Sequence, residues 1–256
     1  MLLSGCDRHD PVPAATGPAV VKDVFKPVDY IALGMPAPNR EWSHIDYDNA
    51  AKVIVKLPRE SLPRLGKSEG CFERIVTHEN LDLLFSKSLP LDQRMGAALS
   101  YMSSIGQVFK TYAMHPYQAH VLAEEASRLV EMQLFMVSSL MPLMEEFMSS
   151  LPPQQRTSVR EDGKRQLIAG LEQALIANIT MAGETTVWTV NQRRSFVDAL
   201  KEALKRAWPY LTEPFKRELP VRAKERHEAE KDADVKLSLK QLQEALTTLA
   251  TASSKK

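Results

Sequence analysis

The sequence contains only two cysteines, Cys6 and Cys71. Two cysteines cannot form a disulfide scaffold or a four-cysteine zinc site. The chain has no uninterrupted run of about 18 apolar residues, which is the length that a membrane-spanning helix needs. Neither sign of charge is in excess, since 33 basic and 32 acidic residues give a net charge of +1. We therefore expect no nucleic-acid partner, because nucleic-acid-binding proteins carry an excess of positive charge.

Motifs for catalysis and for cofactor binding are also missing. The sequence contains no HExxH, GxSxG or GxGxxG pattern, the usual marks of zinc proteases, serine hydrolases and dinucleotide-binding folds. Gly66-Lys67-Ser68 matches the end of a phosphate-binding loop, but Ser61 occupies the position of that loop's first glycine. We therefore predict no nucleotide and no other cofactor.

Two groups of side chains could bind a metal ion, but each has a simpler structural interpretation. His120 and Glu124 are four residues apart and could share a helix face, yet no third ligand follows at a matching spacing. Met141, Met144 and Met148 share a face, and thioethers are soft ligands for Cu(I). Leucines alternate with these methionines, however, as in a core that adaptable side chains fill. We therefore predict no metal site.

Cys71 is a candidate nucleophile, because His78 follows it closely in the sequence. A lone cysteine beside an aromatic residue, here Phe72, is more typical of a small buried hydrophobe. We interpret Cys71 as structural, and the sequence leads us to assign no catalytic residue.

The strongest pattern is an amphipathic segment from Tyr117 to Leu151, which follows Pro116. Its apolar residues fill half of the helical circumference, which is typical of the central helix of a bundle. Pro142 lies on the polar side, so we expect a kink there but no end of the helix. Gln133 lies within the apolar arc, and we expect it to be hydrogen-bonded if it is buried.

Other helical patterns surround this segment. Apolar residues recur at three- and four-residue steps over about 91–114 and 158–181, and Thr189-x-x-Gln192 is a capping box that opens a further helix. We also predict a helix before Leu57 and a short one over 79–86. The sequence thus predicts an all-α fold, a bundle of four to five principal helices over residues 42–212.

The two ends of the chain differ from this bundle. Residues 7–41 contain six prolines and little to bury, so we predict a disordered tether with Val24 and Phe25 among its few docking points. Residues 213–256 read as a charged helical arm, interrupted by Pro220 and restarted by a capping box at Ser238-x-x-Gln241. This arm carries a narrow apolar stripe, which either docks on its own bundle or binds a protein partner: Leu239, Leu242, Leu246 and Leu249.

Residues 1–6 carry the clearest functional signal. Leu3-Ser4-Gly5-Cys6 resembles the lipobox of bacterial lipoproteins, in which a signal peptide is cut before a cysteine that is then lipidated. Only Met1 and Leu2 precede the motif, whereas that family has an apolar stretch of roughly 7–15 residues there. We therefore expect the natural start to lie upstream. The alternative is a chance LSGC in a cytoplasmic protein.

The resemblance implies a membrane anchor at Cys6 and a domain that faces the periplasm. In the same family an aspartate after the cysteine, here Asp7, favours retention at the inner membrane. We expect a non-enzymatic binding or scaffolding module of the cell envelope. Two alternatives stay open, namely an envelope enzyme whose site comes from residues distant in sequence, and a cytoplasmic helical adaptor.

Overall fold

A computed structural model describes residues 24–78, 89–113 and 121–253. These residues form an all-α fold, as the sequence predicts. The α-helices of the described residues are, in chain order, α1 (His44–Ile54), α2 (Cys71–Ile75), α3 (Leu91–Ala113), α4 (Ala123–Ser150), α5 (Ser158–Met181), α6 (Val190–Ala207), α7 (Glu213–Ala229) and α8 (Ala233–Ser253). Within the described parts of the chain, none of these helices is both long and apolar enough to cross a membrane.

Local signals explain where several helices begin. Ser43 caps α1 and forms a capping box with Asp46, and α1 confirms the helix predicted before Leu57. Thr189 and Gln192 form the predicted capping box of α6. The side-chain oxygen of each cap accepts a backbone N–H that the first helical turn would otherwise leave unpaired.

The central helix α4 is the element on which the others pack. It extends from Ala123 to Ser150 and contains Pro142, which does not end it. The predicted start at Tyr117 lies outside the described residues, and so does the predicted short helix at 79–86. α4 contributes to each of three hydrophobic clusters, through Val130, Leu134, Val137 and Met141 in the first, Leu129, Met132 and Met136 in the second, and Leu140 and Leu143 in the third.

The described part of the predicted tether, residues 24–41, is not disordered. Tyr30 and Met35 are 5% and 2% exposed and belong to the cluster around α1 and α3. The Lys26 N–H donates to the Glu60 carbonyl at 2.7 Å, and the Tyr30 hydroxyl donates to the Ser61 carbonyl at 3.2 Å. Prolines prevent a helix here but do not prevent docking, because two large side chains and paired backbone groups offset the loss of chain entropy.

The C-terminal segment is helical, but it belongs to the main core. Leu239, Leu242 and Leu246 are fully buried and Leu249 is partly buried, all in the cluster that α4, α5 and α6 share. Docking on the chain's own bundle is therefore the alternative that the structure shows. In this segment α7 packs on α5, and α8 packs on α6 and α7.

Two predicted breaks in this segment are wrong. Pro220 lies inside α7, where Phe215, Leu219 and Ala223 are buried on either side and hold the helix through the missing hydrogen bond. Ser238 does not cap a helix, since it lies within α8. The cap is Asp232, whose Oδ1 accepts the N–H groups of Asp234 at 3.0 Å and Val235 at 3.1 Å.

Candidate functional site

The predicted site residues Cys6 and Asp7 lie outside the described residues, so lipidation and membrane sorting remain predictions. His120 also lies outside them, and its pairing with Glu124 is untested. Among the described residues, no three or more His, Cys, Asp or Glu side chains are grouped so that they could hold a metal ion. The methionines of the copper alternative pack in the core instead, with Met141 and Met148 buried and Met144 half-buried.

Cys71 is buried at the start of α2, with 2% of its surface exposed. Burial, together with the nearby charges of Glu69 and Glu73, raises the pKa of its thiol to about 11. A thiol with this pKa carries almost no thiolate at neutral pH, which a nucleophile requires. His78 stacks on Phe135, with ring centroids 4.2 Å apart. Cys71 is therefore a small core residue, as its aromatic neighbour in the sequence suggests.

Gly66-Lys67-Ser68 forms a turn that the chain itself fills. The Ser68 Oγ accepts the Arg64 N–H at 2.5 Å, and the Gly66 N–H donates to the Glu73 carboxylate at 2.6 Å. A phosphate-binding loop needs free N–H groups aimed at the phosphate. Here a carboxylate already occupies one of them. This turn therefore does not present the Gly66 N–H to a phosphate.

A cavity of about 430 Å³, lined by charged, polar and apolar side chains, lies between α4 and α6. We call it the α4–α6 cavity and define it by the residues on which its chemistry depends, namely His78, Glu131, Phe135, Ser195, Ala199 and Arg206. Its volume falls in the range of about 300–1,000 Å³ that is usual for small-ligand sites. The two helices run in the same direction along it, because Glu131 meets Ser195 at one end and Ser138 meets Arg206 at the other.

Phe135 forms the apolar wall of the cavity and two cationic or aromatic groups contact it. The His78 ring stacks on it, and the Arg206 Cζ lies 4.6 Å from its ring centroid. A guanidinium over an aromatic face is stabilised by the ring quadrupole. Phe135 therefore fixes the position of the arginine head group within the cavity.

Arg206 is half-buried and is not paired with an acid. Its Nε donates to the Ser138 Oγ at 3.2 Å, and no carboxylate oxygen of the described residues lies within 4 Å of its guanidinium. Burial lowers the pKa of Arg206, an effect that the charge of Glu202 partly opposes. The remaining guanidinium N–H groups are thus placed at the cavity without a carboxylate of the described residues to bind.

The carboxylates around the cavity each have a basic or hydroxyl partner. The Ser195 hydroxyl donates to Glu131, and Arg128 also approaches that carboxylate at 3.3 Å. On the outer side, Asp198 pairs with Lys201 at 2.7 Å. Glu202 pairs with Lys205 at 2.6 Å along the same helix. The acids are therefore locally balanced, whereas Arg206 is not.

A second depression of about 440 Å³ adjoins the cavity and shares Glu131 and Ser195 with it. Glu124 and Arg128 of α4 and Gln192 of α6 line this depression. A ligand that is longer than the α4–α6 cavity could extend into this depression, toward the N-terminal ends of α4 and α6.

Sequence analysis missed this site, although one signal marks it. Glu131 and Ser138 fall on the polar half of the central helix, and Phe135 falls between them on that same half. A large aromatic side chain on the polar face of a helix points away from the core that the apolar face builds. It therefore indicates a contact at the surface. The partners Ser195 and Arg206 are more than 60 residues away, and no local pattern reveals such a pairing.

A second concave surface is an apolar groove of about 520 Å³ among α3, α4 and α5. Gln133 lines this groove, half-buried, and makes no hydrogen bond to the described residues. Its position explains how an amide is tolerated in the apolar arc of α4, because an amide that reaches water need not be paired within the protein. The apolar walls of the groove are formed by Leu99, Met102, Val137, Met144, Leu167 and Ala174.

Comparisons of the chain with protein-family models, with curated proteins and with solved structures found no match. The chemistry of the α4–α6 cavity is therefore the basis for assigning a role.

Ser195 lies next to a carboxylate, but its helical surroundings limit the donors available to it. Ser195 donates to Glu131 as a nucleophile donates to a base, but it lies in the interior of α6. The N–H groups around it are used by the helix, in which each donates to the carbonyl four residues earlier. Acyl transfer needs free N–H groups, or equivalent donors, that point at the developing oxyanion. The helix around Ser195 does not supply backbone donors of this kind.

Proposed function

We propose that the protein is a lipid-anchored lipoprotein of the bacterial cell envelope that serves as a non-enzymatic binding module. Leu3-Ser4-Gly5-Cys6, followed by the proline-rich segment 7–41, is the observation that carries the anchor. Cys6 carries the lipid, and Asp7 favours the inner membrane in organisms that have that sorting rule. The α4–α6 cavity is the proposed binding site.

Three features of the cavity support a binding role. Its volume suits a small ligand. Phe135 offers an apolar wall, and Arg206 presents guanidinium N–H groups that no carboxylate of the described residues occupies. Charge-assisted hydrogen bonds from such a guanidinium are about twice as strong as neutral ones. An anionic group of a ligand would therefore gain more binding free energy at Arg206 than at an exposed arginine that already has a partner.

The anchor is tested by membrane fractionation in the native host, with expression from the natural start. We expect the wild-type chain in the membrane fraction, with lipid on Cys6 detected by mass spectrometry of the N-terminal peptide. Two or more acyl chains hold a protein stably, whereas a single chain binds only marginally. Cys6→Ser should move the protein to the soluble fraction.

Cys71→Ala is the matched control, because it removes the other cysteine and should leave the chain on the membrane. An unmodified and soluble wild-type N-terminus would contradict the anchor and favour the cytoplasmic adaptor. Turnover of a substrate that depends on Glu131 and Ser195 would instead favour the envelope enzyme.

A further inference from the structure

We infer that the α4–α6 cavity binds a short peptide with free termini, with the peptide carboxylate at Arg206 and the peptide ammonium at Glu131. This inference rests on the proposed binding function and names the ligand class for that site. It follows from the distribution of charge in the cavity, the spacing of the charged groups and the apolar surface between them.

The charges of the cavity favour a ligand that carries both signs. A purely anionic ligand would be attracted by Arg206 but would make no attractive contact with the Glu131 carboxylate. A purely cationic ligand would meet the guanidinium of Arg206 and the ammonium of Lys201. A zwitterion avoids both costs if its two charges lie as far apart as the complementary groups.

The complementary groups are separated along the helices. Glu131 lies four residues before Phe135 and seven before Ser138 on α4, and the Arg206 guanidinium contacts both of those residues. At a rise of 1.5 Å per residue, the carboxylate and the guanidinium are about 6–10 Å apart along the axis. An extended chain advances at most about 3.3–3.6 Å per residue, so this separation corresponds to roughly two or three residues.

Glu131 can accept a further donor. A carboxylate has about four lone-pair positions, and Ser195 and Arg128 use two of them. A peptide ammonium can therefore bind without displacing either partner. Between the two charged ends, Phe135 and Ala199 present apolar surface to the middle of the ligand.

The test is isothermal titration calorimetry of the full chain with trialanine, C-amidated trialanine and N-acetylated trialanine. We expect trialanine to bind roughly tenfold more tightly than either blocked peptide, as expected for loss of one hydrogen-bonded charge contact. Arg206→Gln should remove the preference for the free carboxylate and keep the preference for the free ammonium. Glu131→Gln should do the reverse.

Arg222→Gln is the matched control, because Arg222 is an exposed arginine of α7 that pairs with Glu218 outside the cavity. It should leave all three affinities unchanged. Arg206→Lys keeps the positive charge but not the planar fork, and it should retain part of the carboxylate preference. Melting temperatures of the variants separate loss of binding from loss of folding.

Several outcomes would overturn the inference. One is the absence of trialanine binding at about 10 mM, a concentration above the millimolar Kd of weak specific ligands. Equal affinity for the free and blocked peptides would be another. A third is inorganic phosphate binding as tightly as trialanine, since the site would then recognise an anion alone. Membrane fractionation reports on Cys6 independently, so a lipidated chain that binds no peptide would refute the ligand class and leave the anchor intact.

Discussion

At the scale of single residues, Glu230 is the most tightly held charge in the described chain. It is 4% exposed between α7 and α8, and its carboxylate accepts hydrogen bonds from Arg193 and Arg226. The backbone N–H groups of Lys231 and Asp232 donate to its other oxygen at 3.0 and 2.9 Å. Arg193 also donates to the Ala182 carbonyl at the end of α5. This cluster therefore joins α5, α6 and the α7–α8 turn.

The pKa of Glu230 makes the stability of the fold depend on pH. Burial alone would raise this pKa, but the hydrogen bonds from Arg193, Asp232 and Arg226 outweigh burial and hold it at about 2, below the ordinary 4.5. A carboxyl group whose pKa is lower in the folded state than in the unfolded chain stabilises the fold at pH values above the unfolded pKa. This stabilisation is lost as the pH falls toward the folded pKa. We expect about 3 kcal/mol of unfolding free energy to disappear between about pH 4.5 and pH 2.

Chemical denaturation at a series of pH values measures this effect. Glu230→Gln should remove this part of the pH dependence and lower stability at neutral pH by about 3–5 kcal/mol, because it leaves buried guanidinium groups unpaired. Glu228→Gln changes an exposed residue near the end of α7 and should change stability by no more than about 0.5 kcal/mol. Identical pH profiles for wild type and Glu230→Gln would refute the assignment.

At the scale of elements, one glycine inside α5 and one just after its end should respond to alanine in opposite directions. Gly170 lies inside α5, and a Cβ there would meet no atom within 4 Å. Gly170→Ala should therefore stabilise the fold by about 0.5–1 kcal/mol through helix propensity. Gly183 follows the same helix, but a Cβ there would overlap the Arg226 guanidinium. Gly183→Ala should displace that guanidinium from Glu230 and lower the melting temperature.

Both effects can be read from thermal unfolding of the two variants at neutral pH. A double variant of Gly183→Ala with Glu230→Gln should lose less stability than the two single changes added together, because both act on the same ion pair. Simple additivity would show that Gly183 and Glu230 are independent.

The last helix, α8, offers a second test at this scale. Leu242 is fully buried, whereas Leu237 of the same helix is 56% exposed. Leu242→Ala should cost about 2–5 kcal/mol, the usual cost of a cavity in a core, and Leu237→Ala should change stability by less than about 0.5 kcal/mol. Urea denaturation of both variants measures the difference. Equal, small effects would mean that the stripe of α8 is not part of the core.

At the scale of the whole molecule, residues 24–41 connect the proposed anchor to the helical fold. Because Tyr30 and Met35 are buried in the cluster around α1 and α3, this segment stabilises the domain as well as linking it. A chain that starts at residue 42 should therefore melt at a lower temperature than one that starts at residue 24. Met35→Ala in the longer chain should reproduce part of the loss. Equal melting temperatures for the two chains would mean that residues 24–41 do not stabilise the domain and act only as the tether that the prolines predict.

The elements of this fold could be predicted from the sequence because their causes are local. Apolar periodicity places the helices around 91–114 and 158–181, and the Thr189 capping box marks the start of α6 within one residue. Proline and charge were less reliable guides. Pro220 does not end α7, and the charged segment before Leu239 does not separate Leu239 from the core. Tertiary contacts outweigh local propensity when several apolar side chains are buried together.

The sequence by itself determined the helical class, the central role of α4 and the lipobox resemblance, because helix periodicity, capping and a short motif are each written within a few consecutive residues. Only the tertiary structure decided that α8 joins the core and that Phe135 meets Arg206. Those two residues are 71 positions apart, on helices that meet only after the chain has reversed twice. The candidate binding site depends on that meeting, since neither helix alone carries the opposed charges and the apolar wall between them.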